Sequence, residues 1–275
     1  MSDPTHPFPV KAVIFDWAGT MIDFGCMAPV NALLDVFARA GVTITPAEAR
    51  ADMGRAKLDH LRAILAAPAI SERWRVAHGA DASEADIARI YAALEPAMAE
   101  AAARAAKLIP GAAGTVTALR KLGIGIGSGT GYTRAMMAAI LPEAERQGYA
   151  PDVVICAGDT PSGRPSPQPA WAALIALDVW PSSACIKVDD APVGIVEGRH
   201  AGCWTVGIAA SGNEVGLDAD SLAALPETER GDRIAKAAEG LKAAGADYVI
   251  DDVSALLPVV HAIAERIAAG AVPGR

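Results

Sequence analysis

The chain has 275 residues, of which 52% are hydrophobic and 20% are charged. This composition supports a large buried core, and the length suits one large domain or a domain with a smaller insertion. Lysine and arginine number 24 against 32 aspartates and glutamates, which gives a net charge of −8. The balance argues against a nucleic-acid-binding surface, whereas small-molecule substrates remain open because local clusters decide those.

Cysteine use and hydropathy predict a cytoplasmic protein. The four cysteines are Cys26, Cys156, Cys185 and Cys203, and no two of them form a CxxC pair. Free thiols of this kind are typical of cytosolic proteins. The sequence has no run of about 18 apolar residues that would span a membrane. Residues 1–9 contain three prolines and no apolar segment, which indicates a loose tail rather than a signal peptide.

Short apolar segments alternate with helical patterns along most of the chain. The segments at residues 12–15, 124–127, 153–156, 185–188 and 205–208 predict buried parallel strands, with a less apolar sixth at 248–250. Helical patterns cover residues 112–122, 134–147, 169–177, 193–201 and 254–268. This alternation predicts an α/β fold with an open, doubly wound parallel sheet.

A helical insertion interrupts this alternation after the first strand. Residues 29–40, 46–66, 70–78 and 83–106 all have helical patterns, and Pro96 is expected to kink or break the last of them. We therefore predict a helical cap domain at residues 24–105. The α/β core domain comprises residues 1–23 and 106–275.

Acidic and hydroxyl side chains follow the predicted strands. They are Asp16, Ser128 and Thr130, Asp159, Asp189 and Asp190. Ligands of open α/β sheets bind beyond the carboxyl ends of the strands. These residue types there predict a site for a hard cation and a phosphate-like group.

Four motifs lie at these positions in chain order: Asp-Trp-Ala-Gly-Thr at 16–20, Gly-Ser-Gly-Thr-Gly-Tyr-Thr at 127–133, Gly-Arg-Pro at 163–165 and Lys-Val-Asp-Asp at 187–190. Taken alone, each motif is more often structural than functional. Together and in this order they resemble the haloacid dehalogenase superfamily. Its members carry a nucleophilic Asp, a Ser or Thr, a Lys or Arg, and one or two acids after successive strands.

One position departs from the usual pattern of that superfamily. Most of its phosphatases have a second Asp, a general acid/base, two residues after the nucleophile, where this chain has Ala18. The insertion offers a different reactive group in Met-Gly-Arg-Ala-Lys-Leu-Asp-His at 53–60. On a helix, Met53, Lys57 and His60 would share one face. A lysine beside an apolar side chain and a histidine is expected to have a lowered pKa, which lets its amine condense with an aldehyde.

With these motifs, the chain resembles the phosphonoacetaldehyde hydrolase (phosphonatase) family over nearly its full length. The resemblance implies that Asp16 is the nucleophile and Lys57 forms a Schiff base. It implies Mg²⁺ bound by Asp16, the Ala18 carbonyl and Asp190, and a homodimer through the cap. It further implies a substrate-binding set and a place for His60 in the lining of the site. Three residues past Lys57, His60 could shuttle protons during imine formation. The substrate-binding set is Thr130, Arg164, Met53, Cys26, Tyr132 and Gly131.

The resemblance leaves one residue without a clear role. Some relatives have Gly-Asp-x-x-x-Asp as the last motif, but here Asp189 occupies the glycine position and Gly194 that of the second acid. Asp190 remains the expected metal ligand, and the role of Asp189 stays open.

The implied reaction is cleavage of the carbon–phosphorus bond of phosphonoacetaldehyde to acetaldehyde and phosphate through an iminium and an aspartyl phosphate. The first alternative is a Mg²⁺-dependent phosphomonoesterase or phosphomutase of the same superfamily, against which Ala18 and Lys57 count. A class I aldolase-type lyase would not need Asp16 and Asp190. A non-enzymatic regulator on this scaffold would be expected to have lost Asp16.

Overall fold

The structure, a computed structural model, describes residues 8–274. The loose tail predicted at residues 1–9 therefore lies almost entirely outside the described residues. Within them, the four cysteines are all free, as expected. None of the helices between residues 8 and 274 combines the length and the apolar character that crossing a membrane requires.

A six-stranded sheet with the order β3-β2-β1-β4-β5-β6 forms the centre of the described chain. Neighbouring strands are parallel throughout. The strands are β1 (Ala12–Phe15), β2 (Gly125–Thr133), β3 (Val153–Ala157), β4 (Cys185–Asp189), β5 (Trp204–Ile208) and β6 (Tyr248–Ile250). The predicted doubly wound α/β fold is confirmed, and β1 lies between β2 and β4.

Helices cover both faces of the sheet. They are α6 (Ala112–Lys121), α7 (Arg134–Arg146), α8 (Gln168–Ala176), α9 (Pro192–Ala201), α10 (Ala219–Ala224), α11 (Glu227–Ala243) and α12 (Leu256–Ala268). The side chains of β1 alternate between two apolar clusters, because successive residues of a strand point to opposite faces. Val13 and Phe15 join the cluster with α6, α7 and α12, whereas Ala12 and Ile14 pack with α8.

Five helices lie between β1 and α6, where the insertion was predicted. They are α1 (Met27–Arg39), α2 (Pro46–Arg50), α3 (Lys57–Ala66), α4 (Pro68–His78) and α5 (Glu84–Arg104). Helix α1 packs along α5, and α5 packs against α7 of the core. Pro96 lies inside α5, which continues through it, so the expected break is absent.

The single helix predicted for residues 46–66 is wrong, because the chain turns between α2 and α3. Asp52 and Gly54 have positive φ angles of 59° and 94°, which interrupt the helical hydrogen bonds. Met53 therefore lies in the turn and Lys57 is the first residue of α3. The predicted helical face shared by Met53, Lys57 and His60 does not exist, although the turn brings Met53 next to Lys57 by another route.

Helices α10 and α11 were not predicted from the sequence. Helix α11 is largely polar and buries only Ala237 and Leu241. Its apolar periodicity is therefore too weak to be recognised, and its contact with the sheet decides that it forms.

Candidate active site

Asp16 follows directly on β1 at the carboxyl edge of the sheet. Its backbone N–H donates to the carbonyl of Val188 on the neighbouring strand at 3.0 Å, so both strands end at the same level. The chain then turns through Gly19, whose φ of 84° is left-handed, and a Cβ there would overlap the carboxylate of Asp190. Glycine thus lets the turn after Asp16 lie against the acidic end of β4.

Three carboxylates meet at this edge. Asp16, Asp189 and Asp190 are all buried, and one oxygen of each lies within 4.8 Å of the others. Burial raises the pKa of Asp16 to about 6, although the positive charge of Arg164 opposes the shift. Burial and the neighbouring carboxylates raise the pKa of Asp190 well above its ordinary value. The concentrated negative charge is costly unless a cation compensates it.

The donor atoms at this edge fit a hard divalent cation. The thiol of Cys26 donates to the carbonyl oxygen of Ala18 at 3.0 Å and to Oδ2 of Asp190 at 3.3 Å, so one thiol holds these two oxygens close together. The backbone N–H of Asn213 donates to the same Oδ2 at 2.7 Å and fixes the carboxylate. Carboxylates and a backbone carbonyl are the ligands that Mg²⁺ takes. The three predicted metal-binding residues, Asp16, Ala18 and Asp190, therefore have the required chemistry.

Arg164 contacts Asp16 directly from the loop before α8. Its Nη1 donates to Oδ1 of Asp16 at 2.7 Å, and its Nη2 donates to the carbonyl of Gly129 at 2.7 Å. Its Nε lies 3.0 Å from a carboxylate oxygen of Glu197. The guanidinium is thereby fixed in one orientation. It borders a small cavity next to the main pocket, together with Thr130 and Gly131.

Sequence reasoning quoted Lys187 within its motif without giving it a role, and it missed Glu197 as a member of this cluster. Both are fully buried, and Lys187 Nζ lies 3.2 Å from Glu197 and 2.9 Å from Asp189. The cations Arg164 and Lys187 lower the pKa of Asp189, although its burial opposes the shift. A lysine in the middle of an apolar strand was the available signal, because such a residue is almost never buried without a partner.

Lys57 enters the site from the insertion. Its side chain is buried, its Nζ lies 3.5 Å from the sulfur of Met53, and it lies 5.4 Å from the ring centre of Tyr132. Burial lowers the pKa of Lys57 to about 8, and the negative charge of Asp16 only partly opposes this. At pH 7 roughly a tenth of the amine is therefore neutral, far more than for an exposed lysine.

One pocket brings most of the predicted site together. Its lining includes nine residues that the sequence had indicated: Asp16, Ala18, Cys26, Met53, Lys57, Thr130, Gly131, Tyr132 and Asp190. Three further residues line the pocket, Pro29, Gly54 and Ala191, to which the sequence analysis had given no role.

His60 lies behind the pocket and not among its lining residues. Its ring is fully buried, and Nε2 lies 2.7 Å from the carbonyl oxygen of Ala51. Burial and the charge of Lys57 lower the pKa of His60 to about 3. The ring is therefore neutral at pH 7, and its hydrogen bond holds the end of α2 against α3.

Comparison with known proteins agrees with this geometry. Residues 10–202 match the haloacid dehalogenase-like hydrolase family. The chain is 47% identical to a phosphonoacetaldehyde hydrolase of Paraburkholderia phytofirmans and 46% identical to one of Paraburkholderia xenovorans, over 96% of this chain and 99% of each relative. The chain belongs to the phosphonoacetaldehyde hydrolase family of haloacid dehalogenase-like hydrolases. The resemblance inferred from the motifs is thus confirmed.

A solved structure shares the fold of this family member over its whole length. A phosphonoacetaldehyde hydrolase-like protein from Oleispira antarctica superposes with a TM-score of 0.95 at 41% identity, and the alignment covers 99% of both chains. The similarity includes the five helices of the insertion as well as the sheet. The arrangement of inserted helices over the strand ends is therefore common to both proteins.

Proposed function

We propose that this chain hydrolyses phosphonoacetaldehyde to acetaldehyde and phosphate by breaking its carbon–phosphorus bond. The observation that carries the proposal is that a buried amine, Lys57, and a buried carboxylate, Asp16, line the same small pocket. The substrate named for the relatives, which align over nearly the whole chain, is an aldehyde that also carries a phosphonate. An amine and a nucleophilic carboxylate are the two groups that such a substrate requires.

The amine of Lys57 begins the reaction at the aldehyde carbon. Its neutral form adds to the carbonyl, and the adduct takes up a proton and loses water to leave a protonated imine, an iminium, on Nζ. Burial supports this step, because it lowers the pKa of Lys57 to about 8 and so raises the fraction of neutral amine. The iminium is the electron sink that the next step needs.

The carboxylate of Asp16 then attacks phosphorus. The carbon–phosphorus bond breaks, its electron pair moves into the iminium, and a neutral enamine remains on Lys57. Phosphorus is transferred to Asp16 as an aspartyl phosphate. The enamine takes up a proton and is hydrolysed to acetaldehyde and free Lys57, and a second water releases phosphate from Asp16.

Charge control at phosphorus falls to the residues at the strand ends. Mg²⁺, when bound by Asp16, the Ala18 carbonyl and Asp190, supplies positive charge that reduces repulsion between the phosphonate and the attacking carboxylate. Arg164 orients Asp16 through its 2.7 Å hydrogen bond. The hydroxyl of Thr130 and the end of β2 at Gly131 border both cavities and bind the phosphonyl oxygens.

Four side chains complete the proposed site. Met53 and Tyr132 exclude water around the amine of Lys57, and Cys26 orients the Ala18 carbonyl. His60 acts by position, since its buried neutral ring anchors the turn that carries Met53. The proton shuttle that its proximity to Lys57 suggested would need access to the pocket, so we assign it the anchoring role.

Ala18 disfavours an ordinary phosphomonoesterase or phosphomutase. Those reactions expel an alkoxide that needs a proton from an acid near the nucleophile, and alanine has none to give. The iminium on Lys57 makes this acid unnecessary, because the departing carbon becomes an enamine.

We further propose that residues 24–105 form a cap domain over the core, that two chains associate through it, and that the enzyme works in the cytoplasm. The cap position is supported by the pocket, to which residues of the insertion and of the strand ends both contribute. Free buried cysteines suit a reducing compartment. Light scattering on the purified protein would report the mass of the assembly.

The decisive experiment measures phosphate and acetaldehyde released from phosphonoacetaldehyde, with Mg²⁺ and after exhaustive chelation. We expect both products in equal amounts and only with the metal present. An alkyl phosphate ester serves as the comparison substrate. Faster release of phosphate from the ester than from phosphonoacetaldehyde would favour the phosphomonoesterase instead.

A further inference from the structure

Arg50 connects the inserted helices to the start of the insertion and to one loop of the core. It is the last residue of α2 and is half-buried. Its Nη1 donates to the carbonyl of Gly25 at 2.8 Å, and to Asn213 at its carbonyl (3.3 Å) and at its side-chain oxygen (3.2 Å). Its Nη2 donates to the carbonyl of Gly216 at 3.1 Å. One guanidinium thus joins the start of the insertion to the loop after β5.

The bonds between Arg50 and Asn213 run in both directions. The side-chain amide of Asn213 donates back to the carbonyl of Arg50 at 3.3 Å. The backbone N–H of the same Asn213 donates to Oδ2 of Asp190 at 2.7 Å. A single residue therefore contacts both the insertion and the acidic cluster at the strand ends.

Further close contacts fix the loop at residues 211–217 in the same place. Ser211 donates from its hydroxyl to the carbonyl of Gly19 at 2.7 Å, and the N–H of Gly25 donates to the carbonyl of Ser211 at 2.7 Å. A Cβ on Gly25 would overlap the carbonyl of Leu217, and one on Gly216 would lie 2.6 Å from Nε of Arg50. Glycine at these two positions therefore allows the arginine and the loop to lie this close together.

The chemistry of these contacts requires arginine in particular. All oxygens that Arg50 reaches belong to carbonyl or amide groups, and they come from separate segments of the chain. A planar guanidinium carries five N–H donors in a fixed fork, which spans such acceptors at once. The amine of a lysine is a single point and cannot reach both Gly25 and Gly216.

We propose that Arg50 is a positioning residue that latches the insertion onto the core and, through Asn213, fixes Asp190 for cation binding. The latch deepens the proposed function. It rests on that function only for any effect on the turnover of phosphonoacetaldehyde. Its structural consequence does not depend on the substrate. Release of Arg50 frees the loop at residues 211–217, loosens the N–H that holds Asp190, and lets the turn with Met53 and Lys57 move away from the strand ends.

The test compares Arg50→Met with Arg73→Met. Arg73 is also half-buried and also bonds to carbonyls and a carboxylate, but its partners Thr43, Glu48 and Ala69 all lie within the insertion. Hydrogen exchange is measured for the loop at residues 211–217, and thermal stabilisation is measured against MgCl₂ alone. In Arg50→Met we expect faster exchange in the loop. We also expect an increase of about tenfold in the half-saturating MgCl₂ concentration, the lower end of the range for outer partners of metal ligands.

Arg73→Met should leave both values unchanged. Asn213→Ala provides a second route if Arg50→Met does not fold, because it removes the side-chain bonds to Arg50 and keeps the backbone N–H on Asp190. It should shift both values in the same direction. Unchanged exchange and an unchanged MgCl₂ midpoint in the folded variants would overturn the latch. Failure to release phosphate from phosphonoacetaldehyde would overturn the proposed function and leave the exchange result standing.

Discussion

The carboxylate of Asp189 fills the space into which a side chain at position 194 would project. A Cβ built on Gly194 would overlap that carboxylate, which accepts the N–H of Ala191 at 3.1 Å. From this place Asp189 reaches Lys187 at 2.9 Å and Arg164 at 3.4 Å. Some relatives have a glycine where this chain has Asp189 and an acid where it has Gly194. In this chain the buried carboxylate therefore comes from position 189 and occupies the space that a side chain at position 194 would fill.

This relationship predicts that two substitutions rescue each other. Asp189→Gly leaves two buried cations short of a partner, and we expect a loss on the order of 3 kcal/mol in the free energy of unfolding. Gly194→Asp forces a side chain onto Asp189 and should cost about 1–3 kcal/mol. The double variant restores one carboxylate in one space. Its loss should be smaller than the sum by at least about 1 kcal/mol, measured by urea unfolding. Additive losses would contradict the shared space.

A second prediction concerns the contact between the turn at Arg55 and the end of β2. A Cβ on Gly131 would overlap the carbonyl of Arg55, whereas one on Gly129 would meet only Nη2 of Arg164 at 3.6 Å. Gly131→Ala should hold the turn away from the strand ends and lower kcat/KM by about 100-fold, with little change in stability. Gly129→Ala is the matched control and should keep most of the activity. Similar kinetics for the two variants would argue against the close approach.

The third prediction is that Lys57 forms the imine. Lys57→Arg keeps the charge but cannot condense with an aldehyde, so turnover should fall by roughly three orders of magnitude or more. Cyanoborohydride with the substrate should inactivate the unmodified enzyme and add mass to the peptide that contains Lys57. An adduct on a different lysine, or substantial activity in Lys57→Arg, would favour the phosphatase reaction.

The pH dependence of trapping follows from the pKa of Lys57. Burial lowers this pKa from 10.5 to about 8, so the reactive neutral amine increases as pH rises, reaches half of the total near pH 8 and is nearly complete about one pH unit higher. The trapping rate should rise about tenfold per pH unit below this value and then level off. Met53→Glu places a carboxylate beside the amine. The carboxylate favours the charged form of the amine and should move the rising part of the pH–rate profile to higher pH. Met53→Leu should leave the pH–rate profile unchanged.

The fifth prediction separates the two reactive groups. Asp16→Ala should abolish phosphate release, because no nucleophile remains at phosphorus. Imine trapping on Lys57 should persist, since the amine comes from the insertion and the carboxylate from β1. Phosphate is measured by a colorimetric assay and the adduct by mass spectrometry on the same sample. Turnover like that of the unmodified enzyme would remove Asp16 from the mechanism.

The positions of the strands and of most helices follow from the sequence. Strand β1 was predicted with its observed bounds because four apolar residues precede Asp16 without interruption. The motif residues were recognised because parallel strands present their carboxyl ends along one edge. The helix predicted through residue 53 failed because Asp52 and Gly54 adopt left-handed conformations, and apolar periodicity carries no information about that choice.

The sequence by itself determined the family and the order of the strands, and it led to the prediction that Asp16 and Lys57 are the reactive residues, because these depend on residue type and spacing. Only the tertiary structure decided which partners surround them. The pairing of Arg164 with Asp16, the buried charges of Lys187 and Glu197, and the contact of Arg50 with Asn213 join residues far apart in the chain. The lowered pKa of Lys57 likewise comes from burial, which exists only once the insertion lies over the sheet.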